Sequence, residues 1–190
     1  MKTKKRYLVS GLLLSATLVL SGCAVGTSHG QGMMGSNTDY YDSNLDCKFP
    51  TNLKGASVTV VLSDMGMRRM MGGVAPMGAH MRLIASPSTV SAGVASMIVK
   101  NLGWRTHELV ILPLSGNQQS GQRVPEVDGK VSESGSVGEA SKSCGAGVGS
   151  GITSGSASWT TITLKPGRYE LICNLANHYA DGMYQELDVS

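Results

Sequence analysis

The chain has 190 residues, rich in glycine (25) and poor in charge (15%) and aromatic rings (5%), a length that suits one domain with short appendages. Sixteen basic residues stand against 13 acidic ones for a formal charge of +3, but Lys2, Lys4, Lys5 and Arg6 crowd the N-terminus. Without them the balance is about −1, which excludes the basic footprint of a nucleic-acid binder or of a protein held by charge to an anionic membrane.

In chain order, the basic start is followed by an apolar run from Tyr7 to Leu20 and then by small residues ending at Cys23. At 14 residues that run is too short to span a bilayer comfortably, and its flanks are those of a signal peptide, so residues 1–22 are expected to direct export. Leu20-Ser21-Gly22-Cys23 resembles the bacterial lipobox, which implies a lipid on Cys23 and an anchor on the extracytoplasmic or periplasmic side of a membrane. Ordinary cleavage that leaves Cys23 as a spare thiol is the plainer alternative. Residues 23–53 carry Gly, Ser, Asn, Asp and Met without an apolar period and read as a tether, with the folded domain over 54–190.

Within that domain short β-branched runs alternate with turn residues: Ala56 to Ser63, Met81 to Ala85, Ala95 to Asn101, His107 to Leu112, Trp159 to Leu164, Arg168 to Cys173 and Tyr184 to Val189. They are strand-length, and Pro166-Gly167 marks a tight turn between the fifth and sixth. About seven to eight such strands predict an all-β Greek-key sandwich or barrel. Two stretches interrupt the pattern. Residues 65–81 hold Met65, Met67, Met70, Met71, Met77, His80 and Met81, a soft cluster that could take a second copper, form a patch for a partner, or pack a loop. Residues 132–157 are Gly or Ser at 15 of 26 positions, which predicts a flexible surface insertion too small in side chain to supply a core.

The cysteines carry the next step. With Cys23 assigned to lipid, Cys47, Cys144 and Cys173 remain in an oxidising compartment, and one of them is odd. Cys47 and Cys144 both lie in loop-like sequence and are expected to pair; closing that long loop contributes roughly 4 to 5 kcal/mol in chain-entropy terms. Cys173 is then the free thiol, and it opens the run Cys173-Asn-Leu-Ala-Asn-His178-Tyr-Ala-Asp-Gly-Met183. A thiolate, an imidazole and a thioether thus recur at five-residue steps between two strands, where a loop can fold them onto one point as a strand could not. That donor set is soft and favours copper, and His107, at the head of its strand after Asn101-Leu-Gly-Trp-Arg-Thr, is the candidate for a second imidazole. Taken singly, His107 also reads as a half-buried histidine and Met183 as core packing.

From Ala56 to Ser190 the sequence resembles the cupredoxins, the type 1 copper proteins that include plastocyanin and azurin. Its ligand-loop spacing is similar to that of rusticyanin and sulfocyanin. The resemblance implies one copper held by His107, Cys173 and His178 in a trigonal plane with Met183 as a weak axial ligand, and single-electron exchange with redox protein partners. It also implies that His178 is the electron doorway, with Tyr179 and part of the Met-rich loop around it. One position departs from the pattern: Glu108 stands where plastocyanin and azurin often have Asn to tie the two ligand loops together. Rival readings are a copper-handling lipoprotein that captures metal with the Met-rich loop, a purely structural lipoprotein domain that leaves Cys173 unexplained, and an enzyme. The last needs further His-rich centres, and beyond the two candidate ligands only His29 and His80 remain.

Overall fold

In the computed structural model of the chain, residues 45, 47–64 and 81–190 are described. Residues 1–44, 46 and 65–80 lie outside them, and with these the lipobox, Cys23, and every member of the Met-rich cluster except Met81.

The fold is all-β, with ten strands among the described residues: β1 Ala56–Ser63, β2 Arg82–Ser86, β3 Thr89–Val90, β4 Gly93–Asn101, β5 Leu109–Leu114, β6 Gly138–Ala140, β7 Gly145–Ala146, β8 Ala157–Leu164, β9 Gly167–Ile172 and β10 Tyr184–Val189. They form two five-stranded mixed sheets, ordered β2-β1-β4-β8-β7 and β3-β10-β9-β5-β6. β1 lies parallel to β4 and β3 parallel to β10, whereas β8 is antiparallel to β4 and β9 to β5 and β10. Alternation dictates the layering: in β1, Val58, Val60 and Leu62 point inward and are fully buried while their neighbours are half-buried or exposed. Opposite them, Leu109 and Ile111 of β5 and Leu171 of β9 close the core.

β5 does not alternate. Leu109 to Leu112 are all buried, because Val110 and Leu112 on its outer face, with Ile172, meet a second apolar cluster completed by Val131 and Tyr179. The second sheet therefore has a core on each face, the outer one roofed by part of the long connection between β5 and β6. At the turn after β8, the Tyr169 hydroxyl accepts from the Lys165 N–H (3.1 Å) and donates to the Lys165 carbonyl (3.0 Å).

Three strands, β3, β6 and β7, have no counterpart among the runs read from sequence; each is only two or three residues long, too short for a period to register. The Gly/Ser-rich segment also departs from expectation. It supplies β6 and β7, and it places Ala140 and Ile152 in the main core with no exposed surface. Its glycines allow this: a Cβ on Gly151, whose φ is +108°, would sit 2.2 Å from Thr106 Cγ2, so only glycine lets the segment lie this close to the residue before His107. Cys47 and Cys144 form a disulfide, which fastens the segment to the stretch before β1, where Phe49 also packs under the Lys100 ammonium.

Candidate metal centre

Each candidate ligand sits where a loop is tied down by its own backbone. After β4, Asn101 is fully buried and its side chain makes three hydrogen bonds. Nδ2 donates to the carbonyls of Arg105 and Ile152 (2.7 Å each), and Oδ1 accepts from the Gly103 N–H (2.9 Å). Asp64, buried at the end of β1, accepts from the N–H groups of Trp104 (2.7 Å) and Arg105 (2.9 Å). A Cβ on Gly103 would lie 2.3 Å from Asp64 Oδ1, so this approach requires glycine. The chain leaves this turn at His107, which exchanges two backbone hydrogen bonds with Ile152 (3.1 and 2.7 Å) before β5 begins.

The second loop is closed in the same manner. Cys173 N–H donates to the Met183 carbonyl (3.0 Å), Met183 N–H to the His178 carbonyl (3.1 Å), and His178 N–H to the Leu175 carbonyl (2.9 Å). Asn177 (φ +69°) and Gly182 (φ +99°) supply the left-handed residues that tighten it. Those bonds bring Cys173, His178 and Met183 together although four residues separate each from the next. Cys173 faces the core because β9 alternates, and Met183 is buried in the same cluster with no exposed surface. The outer side of the loop is tied to the β5–β6 connection, where Asn174 bonds Val131 N–H, the Val131 carbonyl and Glu133, and Asn177 N–H donates to the Gly129 carbonyl.

Three donor atoms converge. His107 Nδ1 and His178 Nδ1 are 3.2 Å apart, Cys173 Sγ is 3.3 Å from His178 Nδ1 and 3.8 Å from His107 Nδ1. The centre of that triangle lies ~2.0 Å from each atom, the length of a metal–imidazole bond and about 0.3 Å short of a metal–thiolate bond. Among the described residues this is the cluster of His, Cys and acidic side chains with metal-binding geometry. His107 has no exposed surface, and His178 is 7% exposed.

Electrostatics suits the same use. Burial, with the neighbouring His178, pushes the His107 imidazole down to about 4, and burial lowers His178 as well, so both rings are neutral and offer lone pairs at pH 7. With Nδ1 of His107 turned to the centre, its Nε2 is buried without a partner among the described residues. Burial pushes the Cys173 thiol up to about 12, opposed by the backbone N–H groups of Leu175 and Glu108, the latter 3.3 Å from Sγ. A cation at the centre reverses that preference, because it pairs with the thiolate that burial otherwise disfavours. Two neutral imidazoles, one thiol and a buried thioether beside them fit a soft ion such as copper.

Glu108 keeps the two ligand loops joined. Its backbone donates to Cys173 Sγ, and the Asn174 N–H faces its carboxyl. Burial, with Glu139 and Glu133 nearby, raises that carboxyl to about 7. Tyr179 differs from expectation: only 2% exposed, it turns inward rather than onto a surface patch around His178. Its hydroxyl donates to the fully buried Glu170 (3.0 Å) and accepts from the Arg123 N–H (3.0 Å), and Arg123 Nε pairs with Glu170 at 2.6 Å. Met81, the described member of the Met-rich cluster, is 4% exposed and belongs to the main core. Asp64 and Ile152 were not singled out in the sequence. Ile152 carried a signal as one of three branched apolar residues in the Gly/Ser segment; Asp64 carried none beyond ending a strand.

Fold and site together define an all-β sandwich protein with a buried thiol-and-imidazole centre at the end of its strands. No family model matches the chain, and no curated protein does. Among solved structures it is similar to the auracyanin of Roseiflexus castenholzii (19% identity over 72% of this chain and 99% of that one, TM-score 0.42). It is also similar to rusticyanin from Thiobacillus ferrooxidans (18%, 80% and 91%, TM-score 0.41). A third is auracyanin A, described as a blue copper protein, from Chloroflexus aurantiacus (16%, 71% and 100%, TM-score 0.40).

Proposed function

We propose that the protein is a type 1 copper protein of the cupredoxin class, exported and lipid-anchored through Cys23, that carries single electrons between redox proteins and catalyses no reaction of its own. The observation that carries this reading is the convergence of one thiol and two imidazole nitrogens on a buried point. Copper bound there supplies a one-electron Cu(I)/Cu(II) couple. His107 and His178 would hold the copper through neutral nitrogens and Cys173 through its sulfur, and Met183 would be the fourth residue to hold it. Asn101, Asp64 and the backbone bonds of the second loop hold the donors still, so little rearrangement accompanies each electron. His107 has no path to solvent of its own, whereas His178 reaches the surface, which makes His178 the doorway for electrons.

Copper titration of the processed protein tests this. One equivalent is expected to produce intense visible absorption from Cys173 thiolate bound to Cu(II), and Cys173→Ser to abolish it. A colourless wild type whose Cys173 is still alkylated after copper addition overturns the reading. The alternative of copper handling through Met65, Met67, Met70, Met71, Met77 and His80 requires two or more coppers per chain. Anchoring is read separately: Cys23→Ala is expected to move the protein from the membrane to the soluble fraction.

A further inference from the structure

The Gly/Ser-rich segment does more than fill space beside the site. We propose that it is the positioning element of the first imidazole, with Ser143 and Ile152 as positioning residues and the Cys47–Cys144 disulfide as their anchor. The consequence for copper rests on the reading above; the geometry does not.

Ile152 and His107 exchange both backbone hydrogen bonds, and the Ile152 carbonyl also receives Asn101 Nδ2, so the backbone of His107 is set by where Ile152 sits. Ile152 is set in turn by Ser143. The Ser143 hydroxyl accepts from the Thr153 N–H (2.8 Å) and donates to the Gly151 carbonyl (3.0 Å), gripping the chain on both sides of Ile152. The next residue, Cys144, is fixed by the disulfide and by its N–H to the Ala157 carbonyl (2.8 Å), in a left-handed conformation (φ +54°) that a non-glycine residue does not hold without support. An unbroken path of bonds therefore runs from Cys47 through Cys144 and Ser143 to Ile152 and the first ligand.

The need for an anchor follows from composition. A segment with 15 Gly or Ser in 26 residues loses more backbone entropy on ordering than an average chain, and each hydrogen bond offsets only part of the loss. Buried Ile152 and Ala140 hold part of it in place. The cross-link removes much of the remaining freedom in the stretch that carries Ser143, and the position of a metal ligand inherits that restraint.

The test compares wild type with Ser143→Ala, Ser143→Thr and the Cys47→Ser/Cys144→Ser double variant. The first readout needs no metal: the imidazole NMR signals of His107, with the ring signals of remote Tyr169 as control. Ser143→Ala and the double variant are expected to shift the His107 signals and leave Tyr169 unmoved, and Ser143→Thr, which keeps the hydroxyl, to restore them. The second readout is Cu(II) affinity and electron spin resonance. The dissociation constant is expected to rise about tenfold or more in the double variant, the usual size of an effect transmitted through a ligand's supporting contacts. If the double variant does not fold, Ser143→Ala decides alone. Loss of stability in Ser143→Ala with His107 signals superimposed on wild type overturns the proposal. A wild type that takes up no copper sinks the functional reading, yet the metal-free signals still report on positioning.

Discussion

Replacing Glu108 by Gln is expected to steepen the pH dependence of stability of the metal-free protein, and the size follows from two buried groups that oppose each other. In the folded chain the Glu108 carboxyl is raised from 4.5 to about 7, chiefly by burial and then by Glu139 and Glu133. Between those values the native state holds a proton that the unfolded chain has released, so stability falls as pH rises, by about 3 kcal/mol over the whole window. His107 runs the other way. Lowered from 6.5 to about 4 by burial and His178, it leaves the unfolded chain holding the extra proton, so stability rises with pH over that interval by a similar amount. His178, lowered mainly by burial, adds to the rise. From pH 4.5 to 6.5 the wild type is therefore shallow, the carboxyl offsetting one imidazole. Gln keeps an acceptor for the Asn174 N–H and removes the titration. Urea denaturation with metal chelated, at half-unit steps from pH 4.5 to 7.5, is expected to show E108Q gaining about 3 kcal/mol on wild type across the range. Parallel curves, with a difference constant to within about 0.5 kcal/mol, would refute the claim that burial holds this carboxyl protonated.

Three further outcomes follow. Because the Cys173 thiol is pushed up to about 12 and both imidazoles are lowered, Cu(II) loading at pH 8 is expected to release one proton per copper, read by calorimetry in buffers of different ionisation enthalpy. Two or more protons would mean that the rings are charged before loading. Asn101→Ala removes three hydrogen bonds of a fully buried side chain, to the Ile152 and Arg105 carbonyls and from the Gly103 N–H, and is expected to cost about 2 to 4 kcal/mol in urea denaturation. Tyr179→Phe removes one donor from Glu170 and one acceptor from the Arg123 N–H, and is expected to cost about 1 to 2 kcal/mol in the same assay.

The parts of this molecule that were legible in sequence are those whose signal is local. β1 and β10 are strand-length runs set off by turn residues, and both have the bounds read from the sequence. The ligand loop announced itself because Cys173, His178 and Met183 lie within one turn of chain, and parity in the cysteines left Cys173 over while Cys47 and Cys144 paired. What stayed hidden depends on contacts between distant segments. Asp64 closes the turn before His107 from a sequence separation of about 40 residues, and a carboxylate at a strand end says nothing about which N–H groups it will meet. The order in the Gly/Ser segment was hidden for a related reason. Composition measures how much entropy a segment stands to lose, whereas a disulfide, one buried isoleucine and glycines chosen for close approach decide whether it is lost. Tyr179 was misplaced because a tyrosine beside a ligand reads equally well as exposed or as turned in, and the deciding group, Glu170, lies on β9 outside the ligand loop.

That buried Glu170 bears on how His178 is held. A carboxylate with no exposed surface, paired with Arg123 and bonded by Ser120, Gly121 and Tyr179, recovers little net stability, since removing both charges from water costs about what the pair regains. Its geometric effect is larger. Arg123 also donates to the Pro113 carbonyl at the end of β5, so the network links β5, β9 and the residue that follows His178. Tyr179 is thereby fixed at both ends, its ring against Val110, Leu112, Val131 and Ile172 and its hydroxyl on Glu170. His178 is the ligand nearest solvent and so the one most open to displacement, yet its neighbour in the chain is pinned into a core on the outer face of the sheet. The two imidazoles are thus steadied by unrelated means, His107 by a cross-linked segment on the first side and His178 by an ion pair beneath the β5–β6 connection on the second. A centre held by two independent supports keeps its donor atoms at fixed separations when either support is disturbed.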